Sequence, residues 1–280
     1  MFALVAEPLD ELEVPAEEEG TGKHRRIRWW RGIVLFAVGA YFIIPFYAAL
    51  RFSLEGSNGK FTLSAFTSIP SQPGFGAAFA LSVRLAVITT VITMVLMVPT
   101  AVYVHLRVPR LRRLFDGITV LPIVIPPVVL IVGVLQVAPT VLKGTPDLLA
   151  LVYVVLAMPF VYRSLDAGLR AIDLKTLVEA SRSLGGRWSS TLLRVVLPNL
   201  RAALLSATIL TVALVLGEFT MASLDQYQTF PVWIVNFEQD DAHVSTAVSL
   251  LALVGTWLLL LLITSFDRRQ SRRWLRKESR

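Results

Sequence analysis

Residues 179–200, EASRSLGGRWSSTLLRVVLPNL, carry a glutamate, three arginines, a glycine pair and a proline between two long apolar runs. Which side of what those runs build decides where this segment lies. The chain has 280 residues and is 55% hydrophobic but only 17% charged. Its mean hydropathy is +0.64. With the charges clustered between apolar runs, the composition is that of an integral membrane protein. The net charge of +7 does not point to nucleic acid, because the basic residues border the hydrophobic segments and do not line one soluble face. The absence of cysteine excludes disulfide and thiol chemistry.

Working outward, a bilayer core about 30 Å thick needs about 20 apolar residues per helix. Six segments have that length, roughly 32–50, 77–105, 118–138, 147–165, 200–222 and 242–265. The second is long enough to tilt. The third carries Pro122, Pro126 and Pro127, which predict a kink or a break. Outside the spans or at their ends (Arg163, Arg201), 23 lysines and arginines fall on one side and three (Arg51, Lys60, Lys143) on the other, with Arg84 within a span on neither count. The positive-inside rule then puts both termini and the quoted segment in the cytoplasm. The expected fold is all-α and polytopic, with six transmembrane helices, N-in and C-in, in the cell's inner or plasma membrane.

The expected organisation is a cytoplasmic tail over 1–30, a transmembrane domain over 31–266 containing a cytoplasmic loop at 173–198, and a basic tail over 267–280. The first 22 residues hold seven acids and no base, the reverse of a signal peptide. This composition reads as a solvated, largely disordered tail.

Within the loop, Asp173 is placed to cap a helix over about 174–184, and Gly185-Gly186 to stop it. Leu174, Leu177, Val178 and Leu184 recur at helical spacing as one apolar stripe, with Glu179 and Arg182 on the polar side. Ser189 is placed to cap a second short helix that Pro198 closes. From the pattern alone, two readings stand: a loop lying on its own bundle or on lipid headgroups, and a docking surface for another protein.

The segment resembles the EAA loop of permease subunits from type I ATP-binding-cassette importers. That pattern runs Glu-Ala-Ala, three residues, Gly, nine residues, Ile-x-Leu-Pro. This sequence has Glu179-Ala180-Ser181, three residues, Gly185, nine residues and Val195-Val196-Leu197-Pro198. Ser181 and Val195 are the departures. The similarity extends over about 30–268 and includes FTLSAF at 61–66 and LPIVIPPVVL at 121–130. The resemblance implies a coupling helix seated in a groove of a cytoplasmic ATPase dimer, whose closure rocks the permease between inward-open and outward-open states. Carried over by position, Glu179 would face basic residues of the ATPase, and Gly185 would allow the tight turn. Leu184 and its apolar neighbours would fill the groove, and Pro198 would set the start of the fifth span. The further implied partners are a second permease subunit, with a heterodimer favoured by family analogy, and an extracytoplasmic substrate-binding protein.

Chemistry of the chain's own is not evident. No GxxxxGK[ST] phosphate loop occurs, so ATP and magnesium belong to the partner ATPase and this chain is not expected to be an enzyme. His24, His105 and His243 make no metal-ligand pattern. Ionisable residues within spans are costly and mark function. Arg84 and Glu218 are the two candidates, as lining of the substrate pathway or as a mutual pair. LGEFTMASL at 216–224 followed by FPVWI at 230–234 resembles the branch serving polyamines, opines, phosphonates or ferric iron, in which Glu218 would attract a cation. Tyr153, Gln136 and Trp233 are lesser candidates for the substrate pathway, with packing or interface roles as the alternative. Asp225, Glu238, Asp240 and Asp241 form an acidic outer loop, either simply solvated or docking a binding protein. The rival class is a self-contained secondary transporter or channel. It would show inverted repeats and paired broken helices, and only one proline-rich span is evident.

Overall fold

The structure, a computed structural model, describes residues 21–55, 59–258 and 261, and among these it is helical apart from one isolated β-bridge. Helix α1 runs Thr21–Leu54, α2 Ser64–Ser68 and α3 Phe75–Arg107. α4, Arg112–Val124, and α5, Pro127–Val137, follow. Then come α6, Pro146–Arg170, α7, Leu174–Ser183, and α8, Trp188–Asn199. α9 is Arg201–Gly217, α10 Thr220–Leu224, α11 Phe230–Phe237 and α12 Ala242–Leu258. The tails expected at 1–30 and 267–280 lie wholly or mostly outside the described residues.

Three helices, Trp29–Leu54 within α1, α3 and α6, are long and apolar enough to cross a membrane. Two bent pairs pass the same test together, α4 with α5 at 94° and α8 with α9 at 80°, and α12 is a shorter apolar helix. The α4–α5 break falls at Ile125-Pro126, where Pro127 opens the next helix with its fixed φ and missing N–H. The prolines therefore do what their positions predict. The fifth apolar segment differs from expectation. It was predicted as one span over 200–222, but α9 stops at Gly217, and Glu218 and Phe219 separate it from α10.

The chain falls into two units, residues 1–48 and 49–280. In the first, α1 carries Trp29 and Trp30 followed by apolar side chains on all sides, Leu35, Phe36, Tyr41 and Phe42 among them, all exposed. Such a surface suits hydrocarbon with an aromatic interface anchor. In the second unit α3 and α6 are the central pair, with α9 against both. On α3, Leu85, Ala86, Thr89, Thr93 and Met97 are buried, while Val83, Val87, Val91 and Val95 form an exposed stripe four residues apart. A helix apolar on both faces, one packed and one bare, is read as facing protein and lipid.

Three apolar clusters form among the described residues; one joins Ala65, Ile69 and Ala78 to Trp233, Phe237, Val244 and Val248, and the other two lie at the two ends of the α3–α6–α9 bundle. At the α7 end, Val98, Ala101 and Val102 of α3 meet Val161, Leu165 and Leu169 of α6, Leu174 and Val178 of α7, and Val196 and Leu200. At the opposite end, Leu85, Leu149, Tyr153, Val215, Met221 and Val232 pack together with Ile131 of α5. α6 and α9 cross tightly at Gly168, where a Cβ would lie 2.5 Å from Ala203 Cβ. Small residues permit such backbone approach, and in lipid that packing drives helix association.

Candidate functional site: the α7–α8 loop and the Glu218 break

The local signals around α7 act as the sequence predicts. Asp173 caps the helix: its carboxylate accepts from the Thr176 amide at 3.3 Å and from the Thr176 hydroxyl at 2.7 Å. The hydroxyl, then the amide, hold this carboxyl below its ordinary range. At the other end, Gly186 N–H donates to Ser181 O and Gly185 N–H to Arg182 O, both at 2.9 Å. This is a Schellman termination with Gly185 as the left-handed residue, at φ 79°. Gly186 is needed for room, because a Cβ there would meet Ser181 Oγ at 2.6 Å. Ser181 Oγ also bonds Thr191 Oγ1 at 2.8 Å, joining α7 to α8.

Two expectations change, those for Ser189 and Leu184, while Pro198 closes α8 as expected. Ser189 is not a cap: α8 begins at Trp188 after Arg187, without a side-chain cap. Pro198 sits in the last turn of α8, after a π-turn over Leu192–Val196, and α9 starts beyond Leu200. Leu184 leaves the apolar stripe. Leu174 and Val178 are buried in the bundle, whereas Leu184, placed just before the left-handed glycine, is 89% exposed. One face of the loop is thus anchored on its own bundle, and Glu179, Ala180, Arg182 and Leu184 face outward. Among the described residues Glu179 has a distant partner, Lys175 Nζ at 3.9 Å on the same helix.

At the opposite end, Arg84 and Glu218 do not pair. Arg84 Nη2 donates to Asp147 Oδ1 at 2.8 Å, joining α3 to the first turn of α6. Glu218 sits in the break after α9. The hydroxyl of fully buried Tyr153 donates to its Oε2 at 2.9 Å. Met221 N–H lies 2.9 Å from Oε1 and 3.1 Å from Oε2, and Ala222 N–H lies 3.3 Å from Oε2. The carboxylate therefore caps α10 and ties it to α6. Tyr153, read from sequence as a packing residue, is also the anchor of this break. Asp147 carried one local signal, an acid in the first turn after Pro146.

Of the other residues singled out, Gln136 accepts through its carbonyl from Lys143 Nζ at 3.3 Å. Trp233 is buried, and its Nε1 donates to Pro73 O at 2.9 Å. In the acidic 225–241 segment, Asp241 caps α12, accepting from His243 and Val244 N–H. Burial raises the Asp225 carboxyl. Among the described residues no group of histidines and carboxylates could hold a metal.

The family profile of binding-protein-dependent transport system inner membrane components matches residues 74–276. The chain belongs to that family and is an ABC transporter permease. It is 29% identical over 215 residues to the molybdenum transport system permease protein ModB of Mycobacterium tuberculosis, covering 70% of this chain and 81% of that protein. It is 26% identical over 202 residues to the probable transport system permease protein NifC of Clostridium pasteurianum, covering 65% and 71%. A probable sulfate transport system permease protein, cysT of Prototheca wickerhamii, is 34% identical over 133 residues, 45% of this chain and 51% of that one. Among solved structures, an amino acid ABC transporter with histidines superposes with a TM-score of 0.51 at 17% identity, over 75% of this chain and all of the other. That likeness supports the fold.

Proposed function

We propose that this chain forms half of the translocation pathway of an ATP-driven, binding-protein-dependent importer. It works with a second permease subunit, a cytoplasmic ATPase dimer and an extracytoplasmic binding protein. The proposed topology has six spans, counting each bent pair and α12 as one, with both termini cytoplasmic. It is supported by the asymmetry of 23 against three basic residues. ATP and magnesium bind to the ATPase, and the α7–α8 loop is the coupling element.

One observation carries the coupling reading. The loop is fixed on the inside by Leu174 and Val178, yet it holds Glu179 and Leu184 out to solvent on a terminated helix. A bare leucine beside an exposed glutamate has the composition of an interface core with a charged rim. A self-contained transporter would have no use for such a surface.

For substrate, the molybdenum and sulfate named for the relatives are tetrahedral oxyanions in neutral water, and an oxyanion is the substrate class proposed here. This displaces the cationic substrates suggested by LGEFTMASL. The Glu218 carboxylate, already occupied by three donors, then serves to fix the break beside the pathway, and Arg84 remains paired with Asp147.

The test is reconstitution of the full complex in proteoliposomes, with uptake of labelled molybdate and sulfate. Uptake should require ATP, the ATPase and the binding protein. Leu184→Cys, in a chain that has no other cysteine, should crosslink to cysteines in the ATPase groove. ATP turnover by this chain alone, or absence of any Leu184→Cys crosslink in a transporting complex, would end the reading.

A further inference from the structure

We propose that Asp166 is a positioning residue that carries the movement of the α7–α8 loop into the broken α4–α5 pair. The proposal rests on the coupling reading above. Asp166 stands one turn before the end of α6 and is only 8% exposed. Its Oδ1 accepts from Arg112 Nε at 2.8 Å, with Arg112 Nη2 2.7 Å away. His105 Nε2 lies 3.1 Å from the same oxygen, and Arg170 Nη2 reaches Oδ2 at 2.6 Å. His105 is in the last turn of α3, and Arg112 is the first residue of α4. One buried carboxylate thus ties the end of α6 to the start of α4, with the end of α3 brought against it through His105.

The position matters because of what adjoins it. Only Ala171, Ile172 and Asp173 separate α6 from α7, so a displacement of α7 enters the last turn of α6 directly. Apolar contacts are non-directional and let helices slide. A buried carboxylate shared by guanidinium donors is directional, and leaving it unpaired is strongly unfavourable. The helix ends around Asp166 therefore move as one body. Through Arg112 the displacement reaches the first turn of α4, whose far end is the 94° break. His105 Nδ1 faces Ala101 O at 2.9 Å, which fixes the ring to α3 while Nε2 meets Asp166. Leu210, in the part of α9 away from the loop, serves as the reference point.

Sequence offered little warning. Asp166 lies just past the apolar segment ending at 165, and its only near partner in sequence is Arg170. The partners that give it a role are 54 and 61 positions away, Arg112 and His105.

The absence of cysteine allows spin-label pairs to be introduced into the complex with its ATPase in nanodiscs. One pair is Ser183→Cys with Leu210→Cys, reporting α7 against α9. The other is Leu121→Cys with Leu210→Cys, reporting α4 against α9. In the otherwise unchanged chain, ATP with vanadate should change both distances. In Asp166→Asn and Arg112→Gln the α7 change should persist and the α4 change should fall to half or less, with more ATP hydrolysed per molybdate imported. Arg170→Gln, which removes a partner on the same helix, should retain both. If Asp166→Asn does not assemble, Arg112→Gln decides, since it leaves Arg170 and His105 on the carboxylate. An α4 change in Arg112→Gln equal to that of the unchanged chain would overturn the proposal. A static α7 in the unchanged chain would instead overturn the coupling reading.

Discussion

Replacing Gly168 by alanine should loosen the α6–α9 crossing and leave a signature that only close packing produces. The added Cβ would stand 2.5 Å from Ala203 Cβ and 3.3 Å from Leu200 Cδ2. Carbon atoms in contact prefer about 3.5–4.0 Å, so the helices must separate by roughly 1 Å at this point. Overpacking of this kind costs about 1–3 kcal/mol. Alanine in a helix interior regains about 1 kcal/mol over glycine, leaving a net loss of about 0–2 kcal/mol. Ala203→Gly alone should cost about 1 kcal/mol for the opposite reason. In the double variant the clash is gone and the two propensity changes cancel. Its stability should return to that of the unchanged protein, with a coupling energy of about 1–3 kcal/mol. Reversible unfolding in mixed detergent micelles, followed by helicity across the four proteins, measures the cycle. Strict additivity of the two substitutions would refute the close approach, and with it the packing of α6 against α9.

Other substitutions test the loop and the break. Gly185→Asp forces a side chain into a left-handed conformation at φ 79° and should cost of order 1 kcal/mol, uncoupling transport while the permease stays in the membrane. Glu179→Lys should abolish uptake without lowering stability. Normal uptake in both would remove the loop from coupling. Tyr153→Phe deletes the hydroxyl that donates to Glu218. A hydrogen bond to a charged group contributes about 1.5–3 kcal/mol, so the melting point should fall, and a parallel Glu218→Gln should cost less when combined with it than alone. For pH, the Asp173 carboxyl is lowered in the folded chain by the Thr176 hydroxyl and amide. Its contribution to α7 is present above the unfolded value of about 4 and is lost as pH falls through the lowered native value. Protection factors for amide exchange at Thr176 and Leu177, taken against the unfolded-chain rate at each pH, should fall across that window, and Asp173→Asn should flatten the profile.

By itself, the sequence determined what local physics controls. Long apolar runs demanded helices, because lipid offers the backbone no hydrogen-bonding partner. Pro126-Pro127 set a break, because proline lacks an N–H and restricts the residue before it. Asp173 and Gly185 bounded α7, because capping involves residues only a few positions apart. The EAA spacing was legible for the same reason, and with it the family. Only the tertiary structure decided which charges meet. Arg84 finds Asp147 at a separation of 63 residues, Glu218 finds Tyr153 at 65, and Asp166 collects Arg112 at 54. It also decided that Leu184 lies off the bundle: it is six residues on from Val178, about 120° round the helix and at the edge of the stripe it shares in sequence with Leu174 and Val178. Spacing along the chain fixes a residue's face only while the helix continues, and pairing between helices depends on how their ends are brought together.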